Sequence, residues 1–232
     1  YGKNYGFLYF GDEPYGNNLM VEGLGGRGGG RVTLNSRHVE IDGGITADGM
    51  NPDARFDDGA GGGAGGSIWI VCEEIYGHGL MTASGGNGGE GTVAGGGGAG
   101  GRISVQCDNI NKLNVTMQAF GGKSTTEAGG AVFVESVNKS SHEVLAKKLT
   151  VDNNGNPYPH APIYSTGNLR NLFNGDYQDI RQAGGVTWLF DSNPNYTFLD
   201  FNIVGNAHVA ILSNTSVEFI DVRVNRLWGD RT

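Results

Sequence analysis

Four stretches of this chain end a glycine-rich run and then alternate in polarity: "RVTLNS" after Gly30, "SIWIVC" after Gly66, "RISVQC" after Gly101 and "AVFVES" after Gly130. The marker glycines lie 36, 35 and 29 residues apart. Alternation with period two is the signature of a half-buried strand. Aligned on the glycines, the inward positions form columns: Val32, Ile68, Ile103, Val132; then Leu34, Ile70, Val105, Val134; then Ser36, Cys72, Cys107, Ser136. A second set of blocks follows each marker by 15 to 19 residues: "ITADG", "MTASGG", "MQAFGG" and "LTVDNNG". These put Ile45 and Ala47, Met81 and Ala83, Met117 and Ala119, and Leu149 and Val151 inward. Val39, Ile75 and Ile110 are weaker apolar positions between the blocks. Such a unit cannot bury its apolar face alone, whereas stacked copies bury a continuous core.

The C-terminal third changes period. "FLDFNI" at 198–203 matches "FIDVRV" at 219–224, an offset of 21 that sets Leu199, Phe201 and Ile203 above Ile220, Val222 and Val224. No 11-residue segment keeps a helical 3.6-residue period, so helical crossovers are not expected. The expected fold is all-β, a β-solenoid with long glycine-rich loops. A β-sandwich also contains short alternating strands, but it does not explain column identity over four units.

Composition narrows the alternatives. Glycine is 43 of 232 residues and proline only 6, against an average glycine usage of roughly 7%. No strict three-residue glycine period is present, which excludes collagen. The apolar share of 38%, gathered in short runs, argues against wholesale disorder. Positive φ at glycine is the expected source of the turns, and glycine also permits close packing of stacked loops. A formal charge of −8 disfavours nucleic acid as a partner. No apolar run approaches the ~20 residues that span a bilayer, so no membrane span is expected. A chain that starts with Tyr1 reads as a processed protein or a fragment. The sequons at Asn114, Asn138, Asn195 and Asn214 favour N-glycans and a secreted or surface location.

The 198–228 stretch resembles a right-handed parallel β-helix of the pectin-lyase-like superfamily. Residues 23–135, with "GGGAGG" before a strand and "ITADG" or "MTASGG" after it, are similar to glycine-rich repeats of large secreted bacterial and protist proteins, among them adhesins and surface-hair components. The resemblance implies a right-handed coil. It divides the chain into glycine-rich repeats at 1–151, an insertion or connection at 152–184, and shorter rungs at 185–232 continuous with the same stack. The corresponding partners are further copies or rungs stacked end to end, covalent N-glycans and polysaccharide.

Candidate sites follow. "FDDG" at 56–59 and "GHG" at 77–79 resemble the Asp-Asp pair and Gly-His-Gly of polygalacturonases, which implies Asp57, Asp58 and His78 as a catalytic group acting on polyuronides, with paired carboxylates as acid and base. The preceding Asn-Thr-Asp and following Arg-x-Lys of those enzymes are missing here, and the repeat sets 77–79 opposite Ile41-Asp42-Gly43, an ordinary turn. A structural or adhesive extracellular protein is therefore the leading reading, ahead of a carbohydrate-active enzyme and of a glycan-binding module, and no cofactor is expected. Trp69 and Trp188 are candidates for outward rings that stack on sugars. The offset of 21 would stack Asp200 on Asp221, where calcium could bridge them, although screening by solvent with help from Arg223 or Arg226 is the favoured account. Thr46, Thr82, Gln118 and Thr150 form a polar column suited to hydrogen-bonded ladders. Cys72 and Cys107 share a column in adjacent units, ~4.8 Å apart, within disulfide reach. A reduced, stacked pair is the alternative.

Overall fold

A computed structural model describes residues 25–53, 60–90, 95–123, 130–137, 142–156, 186–191, 195–213 and 221–229. Its strands are β1 (Arg31–Glu40), β2 (Gly44–Thr46), β3 (Ser67–Gly77), β4 (Leu80–Thr82), β5 (Arg102–Leu113), β6 (Thr116–Gln118), β7 (Gly130–Val137), β8 (Val144–Asp152), β9 (Val186–Asp191), β10 (Asn195–Val204), β11 (His208–Ser213) and β12 (Asp221–Gly229). They form a seven-stranded sheet in the order β1-β3-β5-β7-β8-β10-β12, a three-stranded sheet β2-β4-β6, and the pair β11-β9.

The first three units stack as their columns require. Val32 pairs with Ile68 and Ile68 with Ile103, Leu34 with Ile70 and Ile70 with Val105, and Ile103 and Val105 meet Val132 and Val134 of β7, all in parallel. In the smaller sheet Ile45, Met81 and Met117 are in register. Ile68, Ile70, Ile75, Met81, Ile103 and Val105 are fully buried between the two sheets, with Ala47, Ala83 and Ala119 beside them. One irregularity interrupts the match. The β3–β5 register slips between Glu74 and Tyr76, so Tyr76 pairs with Lys112.

The corner between the sheets is built by glycine. Gly77 has φ +123°, and a Cβ there or on Gly79 would overlap the backbone carbonyl of Ile41 or Gly43. Gly79 donates its N–H to Ile41 O and Leu80 donates to Gly43 O, so one corner rests on the last.

Of the two roles expected of glycine, sharp turns and close packing of stacked loops, the runs serve the second. Among the described glycines only Gly77, Gly155 and Gly205 have positive φ. The runs are extended segments whose bonds to any one neighbour recur every third residue: Gly26 and Gly29 donate to Gly61 and Ala64, and Gly63 and Gly66 to Met50 and Ala47. Three residues per turn without internal bonds is the habit of polyproline-II-type chains. Segment 60–66 bonds to four others, because Gly62 reaches Gly96 and Gly63 accepts from Gly86. A Cβ on Gly63 would overlap Arg27 O, and one on Gly86 would overlap Met50 O. Glycine is required here because it has no side chain, not because of its left-handed freedom.

The expected β-solenoid, a right-handed parallel β-helix, is overturned by the seven-stranded sheet, which is mixed. Strand β8 runs antiparallel to β7, pairing Phe133 with Leu149 and Glu135 with Lys147. A coil would need a corner after β7 that leads into the smaller sheet, yet residues 138–143, "NKSSHE", contain no glycine. The chain turns back instead, and Lys147 Nζ closes on Glu135 Oε1 at 3.4 Å. Leu149 and Val151, expected above Met117 and Ala119, lie in the large sheet and build a second core with Phe198 and Phe201. Thr150 likewise leaves the threonine column and pairs with Val132 and Asn202. The offset of 21 in the C-terminal third is also wrong. Asn195 pairs with Asp221 and Phe198 with Val224, an offset of 26. Phe198, assigned outward by strict alternation, is buried, and it meets Phe133 edge-on at 6.5 Å between ring centroids.

Candidate functional site

The column of cysteines closes covalently. Cys72 and Cys107 are opposite each other on β3 and β5, with Cα atoms 4.5 Å apart, and form a disulfide. Both side chains belong to the first core. Ser136, expected in the same column, is buried and donates to Asp108 O at 2.7 Å. The bond fits an extracellular location. No helix among the described residues is long and apolar enough to cross a membrane.

Side-chain ladders lock each unit to the next. Asp48 Oδ1 accepts from Ser84 N–H at 2.6 Å, and Ser84 Oγ accepts from Phe120 N–H at 3.1 Å. Asn51 Oδ1 accepts from Asn87 N–H at 2.7 Å, and Asn87 Oδ1 from Lys123 N–H at 2.9 Å. Thr82 Oγ1 bonds both Thr46 Oγ1 and Asp48 Oδ2. The sequence reading recognised the threonines but missed this use of Asp48, Asn51 and Asn87. The 36-residue offset from Asn51 to Asn87 was the available signal.

His78 is at the Gly77-His78-Gly79 corner. Its side chain is 80% exposed, its backbone N–H donates to Asp42 Oδ1 at 3.1 Å, and its Nδ1 is 3.9 Å from the same oxygen. The histidine therefore belongs to a repeated turn, as the opposition to Ile41-Asp42-Gly43 implied. Asp57 and Asp58 lie outside the described residues, as do Asn138 and Asn214. Asn114 follows β5 and is exposed, whereas Asn195 begins β10.

The two aspartates considered for calcium do not meet. Asp200 is opposite Arg226, whose guanidinium clasps it through Nε at 2.6 Å and Nη2 at 2.8 Å. Asp221 bonds Arg223 of its own strand. Arg226 takes both oxygens of Asp200 and Arg223 takes Oδ2 of Asp221, so each carboxylate is neutralised by a guanidinium rather than shared through a cation. No group of three or more His, Cys, Asp or Glu side chains gathers to hold a metal among the described residues.

The outward face of β1, β3 and β5 carries Trp69, 41% exposed, with Thr33 and Ser104 in register on either side. The indole N–H donates to Gln106 Oε1 at 3.1 Å, which fixes the ring and leaves its face to solvent. Arg31 and Arg102 flank Ser67 one residue pair away, and neither is ion-paired with a described residue. Trp188 lies on β9 opposite Ala210. One titration stands out on the neighbouring surface. The Glu40 carboxylate beside Tyr76 raises the phenol above its ordinary value, with smaller contributions from desolvation and from Glu74 and Asp42.

A cleft of about 280 Å³ opens where the small sheet ends. Val115, Met117 and Ala119 line one side, Val132 and Val134 the floor, and Lys148, Thr150 and Asp152 the far wall. No family model, curated protein or solved structure matches the chain, so these surfaces rest on the residues themselves.

Proposed function

We propose that this protein is a structural, N-glycosylated component of an extracellular filament, matrix or adhesin. The observation that carries this reading is the cross-bonded glycine array fastened by Cys72–Cys107. An array of backbone bonds in several directions, with no side chains between the segments, resists deformation in a way that a loop-bearing enzyme scaffold does not need. Exposed Asn114 supports glycan attachment. The similarity of residues 23–135 to secreted surface repeats points the same way. Among the described residues strands β1 and β12 are the two edges of the large sheet, and β12 displays Leu227 and Trp228 at 66% and 59% exposure. Open edges with exposed apolar side chains suit self-association. Electron microscopy and sedimentation of secreted material test the reading, with ordered oligomers or filaments expected and a mass decrease after N-glycosidase treatment. A glycan-free monomer at high concentration overturns it.

A second reading, glycan contact, is favoured by the fixed, solvent-facing indole of Trp69 between hydroxyl and guanidinium groups. The apolar face of a sugar ring packs on such a surface. Retention on immobilised polysaccharide, lost in Trp69→Ala, is the expected result, and equal retention of the variant removes this reading.

A further inference from the structure

Among the described residues the small sheet ends one strand early, and the cleft beside β6 has the form of a fourth strand. In a parallel ladder, the N–H and C=O groups of alternate residues point to opposite neighbours. Ala47 donates to Thr82 O, Ala83 donates to Gln118 O, and Thr116 donates to Gly79 O. Residues 43, 45 and 47 thus face the second unit, and 79, 81 and 83 face the third. By the same alternation, Val115, Met117 and Ala119 face the position of a fourth strand. These three residues line the cleft, and among the described residues β6 is the edge of its sheet. The expected occupant, "LTVDNNG", has gone to β8 because the β7–β8 hairpin draws it into the large sheet.

We propose that this cleft binds an extended peptide from another polypeptide, added parallel to β6. The established β2-β4-β6 stacking specifies the occupant: a bulky apolar residue over Met117, a polar residue over Gln118, and a small residue over Ala119, as in Met81-Thr82-Ala83. Val132 and Val134 provide an apolar floor, and Lys148 and Asp152 give the far wall both charge signs. A second copy cannot dock its own β2 here as a rigid body. Its β1, adjoining β2, would fall on the place that β7 already fills beside β5. An isolated strand along 115–119 meets no such clash and ends before Gly121, whose carbonyl accepts from Asn156 Nδ2 at 3.2 Å, and main-chain pairing with side-chain pockets is a known mode of peptide capture.

The probe is a fluorescein-labelled peptide with the sequence of residues 79–84, which ends before the position of Asn156, titrated against the intact protein by fluorescence anisotropy. Saturable binding is expected. N-methylation at the peptide positions equivalent to Leu80 or Thr82, whose N–H groups would point to β6, should weaken it about tenfold each. N-methylation at the Met81 equivalent, which points away, should leave it within about twofold. Thr150→Phe, which fills the cleft from its half-buried wall, should also weaken binding about tenfold, with an intact disulfide by mass and an unchanged far-ultraviolet spectrum certifying the fold. No saturation at about 1 mM peptide, the highest concentration used, overturns the proposal. Equal weakening at all three methylated positions, or full binding by Thr150→Phe, overturns it too.

Discussion

The first three units and the remainder of the chain solve the same packing problem with different materials. From β1 to β6 the core is aliphatic, with methionine, alanine and a disulfide between two sheets, and the extended segments beside it are held together by backbone bonds. From β7 onward the core is Leu149, Val151, Phe198 and Phe201, with Phe133 and Tyr196 against it. The buried face changes as well. Val132 packs toward the first core, whereas the adjacent Phe133 packs toward the second. Strand β7 is the junction. Strict repetition persists while glycine supplies corners and contacts without side chains. Where glycine stops, large aromatic side chains fill the space and one antiparallel pair, β7–β8, reverses the chain before β8, β10 and β12 pair in parallel again.

That contrast is broken most severely by a side chain inside the glycine array. Gly63→Val should cost about 4 kcal/mol or more, because a Cβ there meets fixed backbone rather than a flexible side chain. Gly30→Ala, which has nothing within 4 Å, should be within about 1 kcal/mol of the parent by urea unfolding. Similar losses in both variants would mean that the array is not the rigid element.

The disulfide is next in size. It closes a sequence separation of 35 residues, and loop-closure entropy assigns it about 3–4 kcal/mol. The Cys72→Ala/Cys107→Ala double variant should lose that amount. Hydrogen exchange should rise in β3 and β5 before β10 and β12, and uniform acceleration would show that the two cores unfold as one.

A smaller effect tests the second region. Asp200→Asn should cost about 1 kcal/mol or less, since Arg226 remains largely exposed. The loss should shrink in high salt, and an unchanged loss would point to packing rather than charge.

The smallest effect concerns Tyr76. Its folded phenol holds its proton to higher pH than usual, chiefly because of Glu40. The linked stability is therefore present below the ordinary phenol value and fades as pH rises through the raised one. Glu40→Gln should return the alkaline absorbance titration of Tyr76 toward the ordinary value. An unmoved titration would assign the rise to the lesser contributors.

Strand columns were legible because period two and a 35–36-residue spacing are local patterns repeated on the same register. Ile68, Ile70, Met81 and the Cys72–Cys107 pair were all placed from them, and the opposition of 77–79 to 41–43 followed as well. The site surfaces were less legible. Trp69 was expected outward, but its bond to Gln106, the flanking arginines and the cleft beside β6 depend on neighbours 35 or more residues away. Asp200 was assigned the wrong partner because two similar strands can be aligned at 21 or 26 residues, and only the packing of Phe198 and Phe201 chooses.

By itself the sequence determined strands without helical period, a repeated unit, the first core and the shared column of Cys72 and Cys107, and the structure closed that column as a disulfide. Only the tertiary structure decided that the fourth unit turns back, that the large sheet is mixed, and which glycines turn the chain and which serve contact. The physical reason is that alternation tells which residues face inward but not which neighbour supplies the next strand. That choice depends on the competition between a corner and a hairpin after β7, and no local pattern records its outcome.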